Sequence, residues 1–434
     1  MICKTSIKLN KLLKIINKES HAFIIDKFNE KYSIIGFLNF NLTENKTITT
    51  NKIDDLYSLE NYKKSCAPTP LKKQLSIINS GWFGYLSYDL KNNIFPFLKS
   101  KQTEFPLIQF ASFPVLFLVE HKTKGIIAIS ENKKIYKDYI RYINSTHYNT
   151  DERFFLNLLY MEPYNIYERK INRIKELIEN GEVYQINLAH RLMFHFEGNP
   201  LGCYLNIREE AKPPFGCYLK FNDLNILSFS PERFFRVHNN KISSYPIKGT
   251  MPRSDIKKID KSYKEKLKQS EKDHAEHIMI IDLIRNDLGK ICKIGSVKVT
   301  NLFSVKSYET VHHMVSCISG DLMKPYDLVK IIKAIFPGGS ITGAPKIAAM
   351  KYIDELEDFS REIYTGSIGY FLPDYSFMDF NIAIRTMVIH NNIAYYSVGG
   401  GIVFDSDAQK EYEETITKSQ IIKRGSRGLA DLRM

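Results

Sequence analysis

The sequence predicts an α+β fold, and two observations lead to that prediction. Short apolar runs typical of β-strands fill the first 145 residues, at 20–25 and 32–38 for example, and they recur later in the chain. Helical runs follow the strand runs in blocks, which favours α+β, or a mixed α/β sandwich, over a doubly wound sheet. At 434 residues, with 44% hydrophobic and 25% charged residues, the chain is long enough to bury a large core, and disorder is excluded.

The other elements follow in chain order. Strands are predicted at 107–119, 125–130, 182–196, 215–221, 224–237, 241–249, 366–371, 382–389 and 393–397. Helices are predicted at 164–180, 273–288, 326–335, 345–356 and 411–423. The polar stretch 144–151 is the predicted linker, and it divides the chain into an N-terminal domain, 1–145, and a second domain, 152–425.

The net charge of +13, from 61 basic and 48 acidic residues, has two explanations. A nucleic-acid or membrane partner requires a basic stripe, whereas these lysines are scattered, and in 257–272 they alternate with acidic residues. The charge therefore indicates a solvated surface with some bias toward small anions, and neither a nucleic-acid nor a membrane partner is expected.

Several features of the chain favour the cytoplasm. The six cysteines show no CxxC spacing and are typical of a reducing compartment. No apolar run reaches the roughly 18 residues that a membrane helix needs. Residues 1–18 mix basic and apolar side chains without the apolar region of a signal peptide.

Carboxylates on two predicted helices form a candidate metal site. Glu411 and Glu414 are three residues apart and share a helix face, and Glu276 lies on the helix 273–288. Mg²⁺ is typically held by one or two carboxylates together with the anionic groups of a ligand. The alternatives are a solvated acidic first turn for the first pair and a salt-bridged polar stripe for Glu276.

Lys248 and Glu232 are candidates for covalent and acid catalysis. Lys248 stands at the end of an alternating strand, where an apolar neighbourhood would favour the nucleophilic free amine; the alternative is a lysine that extends to water. Glu232 follows Ser230-Pro231 and precedes two phenylalanines, so its pKa is expected to be raised as in an acid catalyst. The alternative is an ordinary turn residue.

The segment "PGGSITGAPK" (337–346) precedes a helix that opens at Pro345, and backbone donors at such a position can hold anions. It lacks the GKS or GKT of a Walker motif. His313 and Arg385 are predicted to lie on apolar strands. A lone histidine there is more often part of a core than catalytic, and a buried arginine needs an anionic partner.

Nine segments occur in one order between about 165 and 420, and together they resemble the chorismate-utilising enzymes, the family of the anthranilate synthase and aminodeoxychorismate synthase large subunits. These segments are "YQINLAHR", "SFSPERF", "PIKGTMPR", "KDHAEHIMIIDLIRNDLGKI", "VHHMVS", "FPGGSITGAPK", "YTGSIGY", "IAIRTM" and "GGGIVFDSDAQKEYEET". The N-terminal part resembles the family's N-terminal domain more weakly, through "GWFGYLSYDL". The resemblance implies a large two-sheet α/β sandwich.

Within that family, "PIKGT" is similar to the aminodeoxychorismate synthase component I subgroup, whereas anthranilate synthases typically carry Ala at the position of Lys248. The implied reaction adds ammonia to chorismate and forms 4-amino-4-deoxychorismate, a precursor of 4-aminobenzoate and folate. Ammonia would come from a glutamine amidotransferase subunit, since no such domain is present in this chain. The alternatives are an anthranilate synthase component I and, from another class, a basic binding module without catalysis.

The resemblance also implies a role for each candidate residue. Lys248 adds to ring carbon C2, Glu232 protonates the leaving C4 hydroxyl, and His313 abuts the ring near that hydroxyl. Glu276 and Glu414 hold Mg²⁺, with Glu411 near the ion through water. The implied substrate-binding residues are Arg385, Tyr364, Thr342, Gly343, Ala344, Gly399 and Gly401.

Overall fold

Two large antiparallel sheets dominate the computed structural model, which describes residues 2–26, 31–39, 41–42, 46–65, 81–98, 101–130, 132–146, 152–308 and 311–425. In that part of the chain, one sheet contains twelve strands and the other contains ten. The two sheets together with the helices confirm the α+β prediction and the two-sheet architecture.

The strands of the twelve-stranded sheet are, in spatial order, Ile2–Thr5, Ile126–Ser130, Val115–Glu120, Tyr32–Leu38, His21–Asp26, Phe215–Phe221, Leu224–Ser230, Thr386–His390, Ile393–Ile402, Gln185–Gly198 and Gly343–Ala344, and Phe154–Met161 also pairs with Gln185–Gly198. Those of the ten-stranded sheet are Ile247–Pro252, Val311–Asp321, Lys241–Tyr245, Arg233–His238, Phe377–Asn381, Ser367–Phe371, Trp82–Leu86, Ile108–Ser112 and Lys46–Thr50, and Lys298–Ser307 also pairs with Val311–Asp321. Both predicted domains, 1–145 and 152–425, contribute strands to each sheet. Residues 147–151 of the predicted linker lie outside the described residues.

The α-helices are Leu9–Lys18, Lys91–Ile94, Lys133–Ser145, Tyr164–Glu179, Pro200–Ala211, Lys257–Gln269, Glu271–Gly289, Leu328–Ile335, Lys346–Leu356 and Ala408–Gly425. 3₁₀ segments occur at Ile53–Ser65, Tyr88–Leu90 and Gly339–Ile341. The predicted helix 164–180 is confirmed, with Asn180 as its C-cap and Gly181 beyond it at φ +74°. No helix of the described ranges is long and apolar enough to span a membrane.

Aromatic side chains fill the space between the sheets. Phe23 of the larger sheet stacks on Phe83 of the smaller, with ring centroids 4.1 Å apart, and Phe83 stacks in turn on Tyr370 at 5.3 Å. Gly84 in "GWFGYLSYDL" allows close strand packing, because a Cβ there would lie 1.9 Å from the Gln109 carbonyl oxygen. The outer faces of both sheets are covered by helices.

Three predicted strands are each split by a proline: 241–249 divides at Pro246 into two strands of one sheet, and at the other two splits the chain changes sheets. The run 107–119 divides at Pro114 into Ile108–Ser112 and Val115–Glu120, which belong to different sheets. The run 224–237 divides at Pro231 in the same way. Proline has no N–H for the ladder and restricts the preceding residue, so each apolar run is two strands and not one.

The prediction for 382–389 was also wrong in part. The strand begins at Thr386, and an unpredicted strand, Phe377–Asn381, precedes it in the other sheet. Arg385 therefore lies not on a strand but at a crossing between sheets, with φ +51° in the left-handed region. The apolar composition continued through the crossing and concealed it. His313 lies on the strand Val311–Asp321, as expected.

Candidate active site

Two sheet crossings meet at one place, and each carries a predicted site residue. Glu232 sits between Leu224–Ser230 and Arg233–His238, and Arg385 precedes Thr386–His390. The crossings are joined because the Ile382 amide donates to the Glu232 carbonyl at 3.0 Å. The fold thus places an acid and a cation where the two sheets diverge.

Glu232 is buried and only 6% exposed. Its Oε1 accepts a hydrogen bond of 2.8 Å from the Ser340 hydroxyl. Burial raises the pKa of Glu232 to about 7, while the Ser340 hydroxyl, the charge of Lys248 and the Ile247 amide act in the opposite direction. The expected raised pKa is confirmed, and this carboxyl can give or accept a proton near neutral pH.

Lys248 lies on the edge strand Ile247–Pro252, opposite Met314 and beside a bulge. Its Nζ is 3.5 Å from Glu276 Oε2, and its charge also acts on Glu232 and Glu414. The predicted apolar neighbourhood is therefore wrong, because carboxylates from three segments face this amine. The following Gly249 has φ +70°, and the bulge there turns the lysine toward the helix Glu271–Gly289.

His313 is buried within range of the charge of Arg385. Burial lowers the pKa of His313 to about 4, and the charge of Arg385 lowers it further, although a bond to the Gly249 carbonyl has the opposite effect. The ring is therefore neutral at pH 7, and its Nδ1 lies 2.9 Å from the Thr250 hydroxyl. Burial also lowers the pKa of Arg385, and within the described ranges no carboxylate pairs with its guanidinium. A buried cation in that condition is suited to an anionic ligand.

Gly401 of the strand Ile393–Ile402 adjoins the Lys248 amine, and Gly399 lies two residues before it. A Cβ on Gly401 would lie 1.9 Å from Gln185 Nε2 and 3.3 Å from Lys248 Nζ. Gly399 is paired with Ala189, and its carbonyl accepts from Lys418 at 2.8 Å. Only glycine leaves room for a ligand to approach this backbone.

Thr342, Gly343 and Ala344 line the opposite side of the Gln185–Gly198 strand. Gly343 and Ala344 pair with Ile186 and Gln185, and Gly343 has φ +141°, which glycine tolerates. Thr342 is fully buried, and its hydroxyl donates to the Gly338 carbonyl at 3.0 Å. The hydroxyl of Thr342 thus supports its own loop.

Tyr364 is buried, and burial raises the pKa of its hydroxyl. Tyr396 interacts electrostatically with both Tyr364 and Arg385. The backbone next to Tyr364 is joined to the crossing that carries Arg385, because the Thr365 amide donates to the Ala383 carbonyl at 2.9 Å.

Comparison with known proteins identifies the family of this chain. The model of the chorismate binding enzyme family matches residues 22–424. The chain belongs to the chorismate binding enzyme family. It is 34% identical over 388 residues to the Escherichia coli K12 protein named aminodeoxychorismate synthase component 1, which covers 88% of this chain and 85% of that protein.

Anthranilate synthase subunits are similar to the same degree. The Aquifex aeolicus anthranilate synthase component 1 is 36% identical over 366 residues, 79% of this chain and 74% of that protein. The crystal structure of anthranilate synthase component I from Streptococcus pneumoniae superposes with a TM-score of 0.76 at 27% identity, covering 91% and 92% of the two chains. Overall similarity therefore identifies an enzyme family but does not separate these two activities.

The carboxylates predicted to bind metal lie on two helices of this chorismate binding enzyme. Glu411 accepts from the Ser406 hydroxyl at 2.8 Å, and burial, with the charge of Glu414, raises its pKa. Glu414 pairs with Lys418 at 2.7 Å. Burial acts to raise the pKa of Glu414, but the charges of Lys418, Lys248 and Lys272 together bring it below its usual value.

These oxygen donors suit Mg²⁺ only if a ligand completes the site. Among the described residues, no three His, Cys, Asp or Glu side chains cluster closely enough to hold an ion. Glu276 and Glu414 are each engaged by a lysine, at 3.5 Å and 2.7 Å. Mg²⁺ usually retains water and takes one or two carboxylates beside substrate oxygens, so the donor set fits an ion that binds together with an anionic substrate.

Gln185 and Ser340 are site residues to which the sequence analysis assigned no role. Gln185 is 2% exposed, its Nε2 faces Gly401, and among the described residues its Oε1 has no hydrogen-bond partner. Gln185 falls on the polar phase of its alternating strand, with Asn187 and Arg191, so the pattern gave no signal that it is buried. Ser340 stands inside "PGGSITGAPK", and only the fold brings it to Glu232, 108 residues away.

Proposed function

We propose that this chain is an aminodeoxychorismate synthase component I, which transfers an amino group to chorismate. The position of Lys248 carries the proposal. Its amine lies in one small region with the acid Glu232, the carboxylate Glu276 and the open backbone of Gly401. The 34% identity to the Escherichia coli protein of that name supports it.

The proposed first step is covalent. The Lys248 nitrogen, as the free amine, bonds to ring carbon C2 of chorismate while the two conjugated ring double bonds shift and the C4–oxygen bond breaks. Glu232 gives its proton to the departing oxygen, which leaves as water. A carboxyl with a pKa of about 7 retains enough of its acid form at neutral pH to do so.

Ammonia then bonds to C4, the two double bonds shift back, and the C2–lysine bond breaks. The proton that ammonia loses restores the acid form of Glu232, so the enzyme returns to its starting state. Two displacements through an amine intermediate replace one difficult substitution. The neutral His313 and the hydroxyl of Thr250 bound to it would lie beside the ring at the leaving group.

Substrate carboxylates supply the missing counter-charges. Arg385 and Tyr364, with the backbone of Gly399 and Gly401, would hold the pyruvyl carboxylate, and Thr342, Gly343 and Ala344 would line the ring pocket. Glu276 and Glu414, with Glu411 through water, would hold Mg²⁺. When bound, this ion would neutralise the ring carboxylate.

The proposed partners are chorismate and a glutamine amidotransferase subunit that supplies ammonia in a heterodimer. The names of the relatives as component 1 support a second component. We propose a cytoplasmic location and a role in forming 4-aminobenzoate for folate, and neither nucleic acid nor membrane is proposed as a partner.

The test is incubation of the purified chain with chorismate, Mg²⁺ and ammonium, followed by mass analysis. We expect a product in which an amino group replaces the C4 hydroxyl and the pyruvyl group is retained. Anthranilate fluorescence without an added lyase would instead establish anthranilate synthase, the second candidate, which the 36% identity to the Aquifex protein favours. Omitting Mg²⁺ and adding EDTA should abolish turnover in either case.

A further inference from the structure

The hydrogen bond between Ser340 and Glu232 joins the acid to a loop outside its own strands. Glu232 is 6% exposed, and the Ser340 hydroxyl donates to its Oε1 at 2.8 Å. This inference rests on the proposed acid role of Glu232. A hydroxyl that donates to a carboxylate stabilises the charged form, so this contact opposes the effect of burial.

The loop that carries Ser340 is fixed by side chains that bond to its backbone. The buried Lys346 ammonium donates to the carbonyls of Ile335 at 3.1 Å and Pro337 at 2.8 Å, and it pairs with Asp287. The Thr342 hydroxyl closes the other end of the loop on Gly338. Ser340 is therefore presented to Glu232 before any substrate binds, which is what positioning by a rigid support requires.

We propose that Ser340 is the positioning residue that orients Glu232 and limits how firmly this acid retains its proton. Other groups also affect the pKa of the Glu232 carboxyl. From the strand Ile247–Pro252, the charge of Lys248 and the Ile247 amide act on it. Of the other charged groups near this carboxyl in the described residues, Arg385 has no carboxylate partner, and the rest are paired.

Those paired groups come from three elements. On the strand of Glu232, Arg233 binds Asp379 at 2.8 Å. On the helix Glu271–Gly289, Asp287 is held by Lys346 and Lys290. Ser340 is thus the one side-chain hydroxyl of the described residues that bonds to the Glu232 carboxyl, and its removal has no ready substitute.

The experiment measures the rate of chorismate consumption at a series of pH values for the parent chain and for Ser340→Ala. Each rate is divided by the concentration of free ammonia at that pH, and the fall of this ratio at high pH is the alkaline limb of the profile. Without the donated hydrogen bond the acid form of Glu232 persists to higher pH, so the alkaline limb should move up by about one pH unit. Ser340→Thr retains the hydroxyl and should restore the parent limb. An unmoved limb in Ser340→Ala would overturn the proposal.

Ser244→Ala is the matched control. Ser244 is buried beside the same small cavity, of about 20 Å³, that Glu232 and Ser340 line, but its hydroxyl donates to the Phe234 carbonyl. We expect no shift of the limb in this variant, and an equal shift would show that any loss of a buried hydroxyl there has the same effect. If Ser340→Ala fails to fold, Ser340→Cys, a weaker donor, should shift the limb in the same direction by less.

A second readout needs no turnover. Infrared titration of the carboxyl band, taken as the difference from Glu232→Gln, should show a higher midpoint in Ser340→Ala than in the parent. A parent enzyme that consumes no chorismate would contradict the proposed function alone, because this titration would still report on Ser340. An unchanged midpoint in an enzyme that does consume chorismate would contradict the role of Ser340 alone.

Discussion

Two lysines, Lys248 and Lys346, pair with carboxylates of the same helix, Glu271–Gly289, and their surroundings differ. Lys346 is 8% exposed, pairs with Asp287, and donates to two backbone carbonyls. Lys248 is 14% exposed and lies 3.5 Å from Glu276, at the limit of a hydrogen bond. About three helical turns separate the two carboxylates.

The difference distinguishes a lysine that stabilises the fold from a lysine that is available for a reaction. The ammonium of Lys346 has an oxygen for each of its three N–H groups, so it is fully satisfied and has no capacity for chemistry. Lys248 has one loose partner and adjoins a glycine strand where a ligand can approach. The same residue type thus serves the fold at one end of the helix and is suited to the reaction at the other.

The largest expected effect is the loss of activity in Lys248→Ala. Removing the proposed nucleophile should lower formation of the aminated product at least about a thousandfold. Stability should change by less than about 1 kcal/mol, because a weak, partly exposed ion pair contributes little. Steady-state assays and urea unfolding measure the two quantities. Full activity in this variant would remove the contrast between the two lysines.

Lys346→Met should have the opposite profile. Breaking a buried pair leaves Asp287 uncompensated and should destabilise the fold by about 3 kcal/mol, measured as the unfolding free energy in urea. The double variant Lys346→Met with Asp287→Leu removes both charges and should recover much of that loss. A single variant as stable as the parent would show that Lys346 does not anchor its loop.

Glu232 is affected by the charge of Lys248 and by Ser340, on the loop that Lys346 anchors. The pH dependence of turnover that it causes should be an effect of intermediate size. The carboxyl has a pKa of about 7, so in its proposed role as the acid turnover per free ammonia should be full below pH 7. Above it, the protonated fraction falls about tenfold per pH unit. Glu232→Gln, which cannot titrate, should leave a low and flat profile. A parent limb far from pH 7 would remove Glu232 from the acid role.

The smallest expected effect is that of Lys290→Ala. Lys290 also binds Asp287, at 2.9 Å, but its side chain is 53% exposed. Its loss should lower the unfolding free energy by less than about 1 kcal/mol, since solvent screens an exposed partner. A loss as large as that of Lys346→Met would mean that Asp287 is held from the surface rather than from within.

The sequence predicted much of the fold because the signals were local. The strands Tyr32–Leu38 and Phe215–Phe221 have their predicted bounds, and the helix Tyr164–Glu179 ends within one residue of its prediction. Nine segments in family order were enough to identify the family that comparison confirms. The predicted pKa direction of Glu232 followed from its aromatic neighbours.

The tertiary structure decided where the chain crosses between sheets and which distant groups meet. The apolar runs around Pro114 and Pro231 read as single strands because hydrophobicity reports burial, and both sheets bury their strands. Contacts between residues far apart in the sequence depend on tertiary packing. The contacts of Lys248 with Glu276 and of Ser340 with Glu232 therefore had no local signal in the sequence. The sequence determined which residue types are present, and the fold determined which of them are in contact.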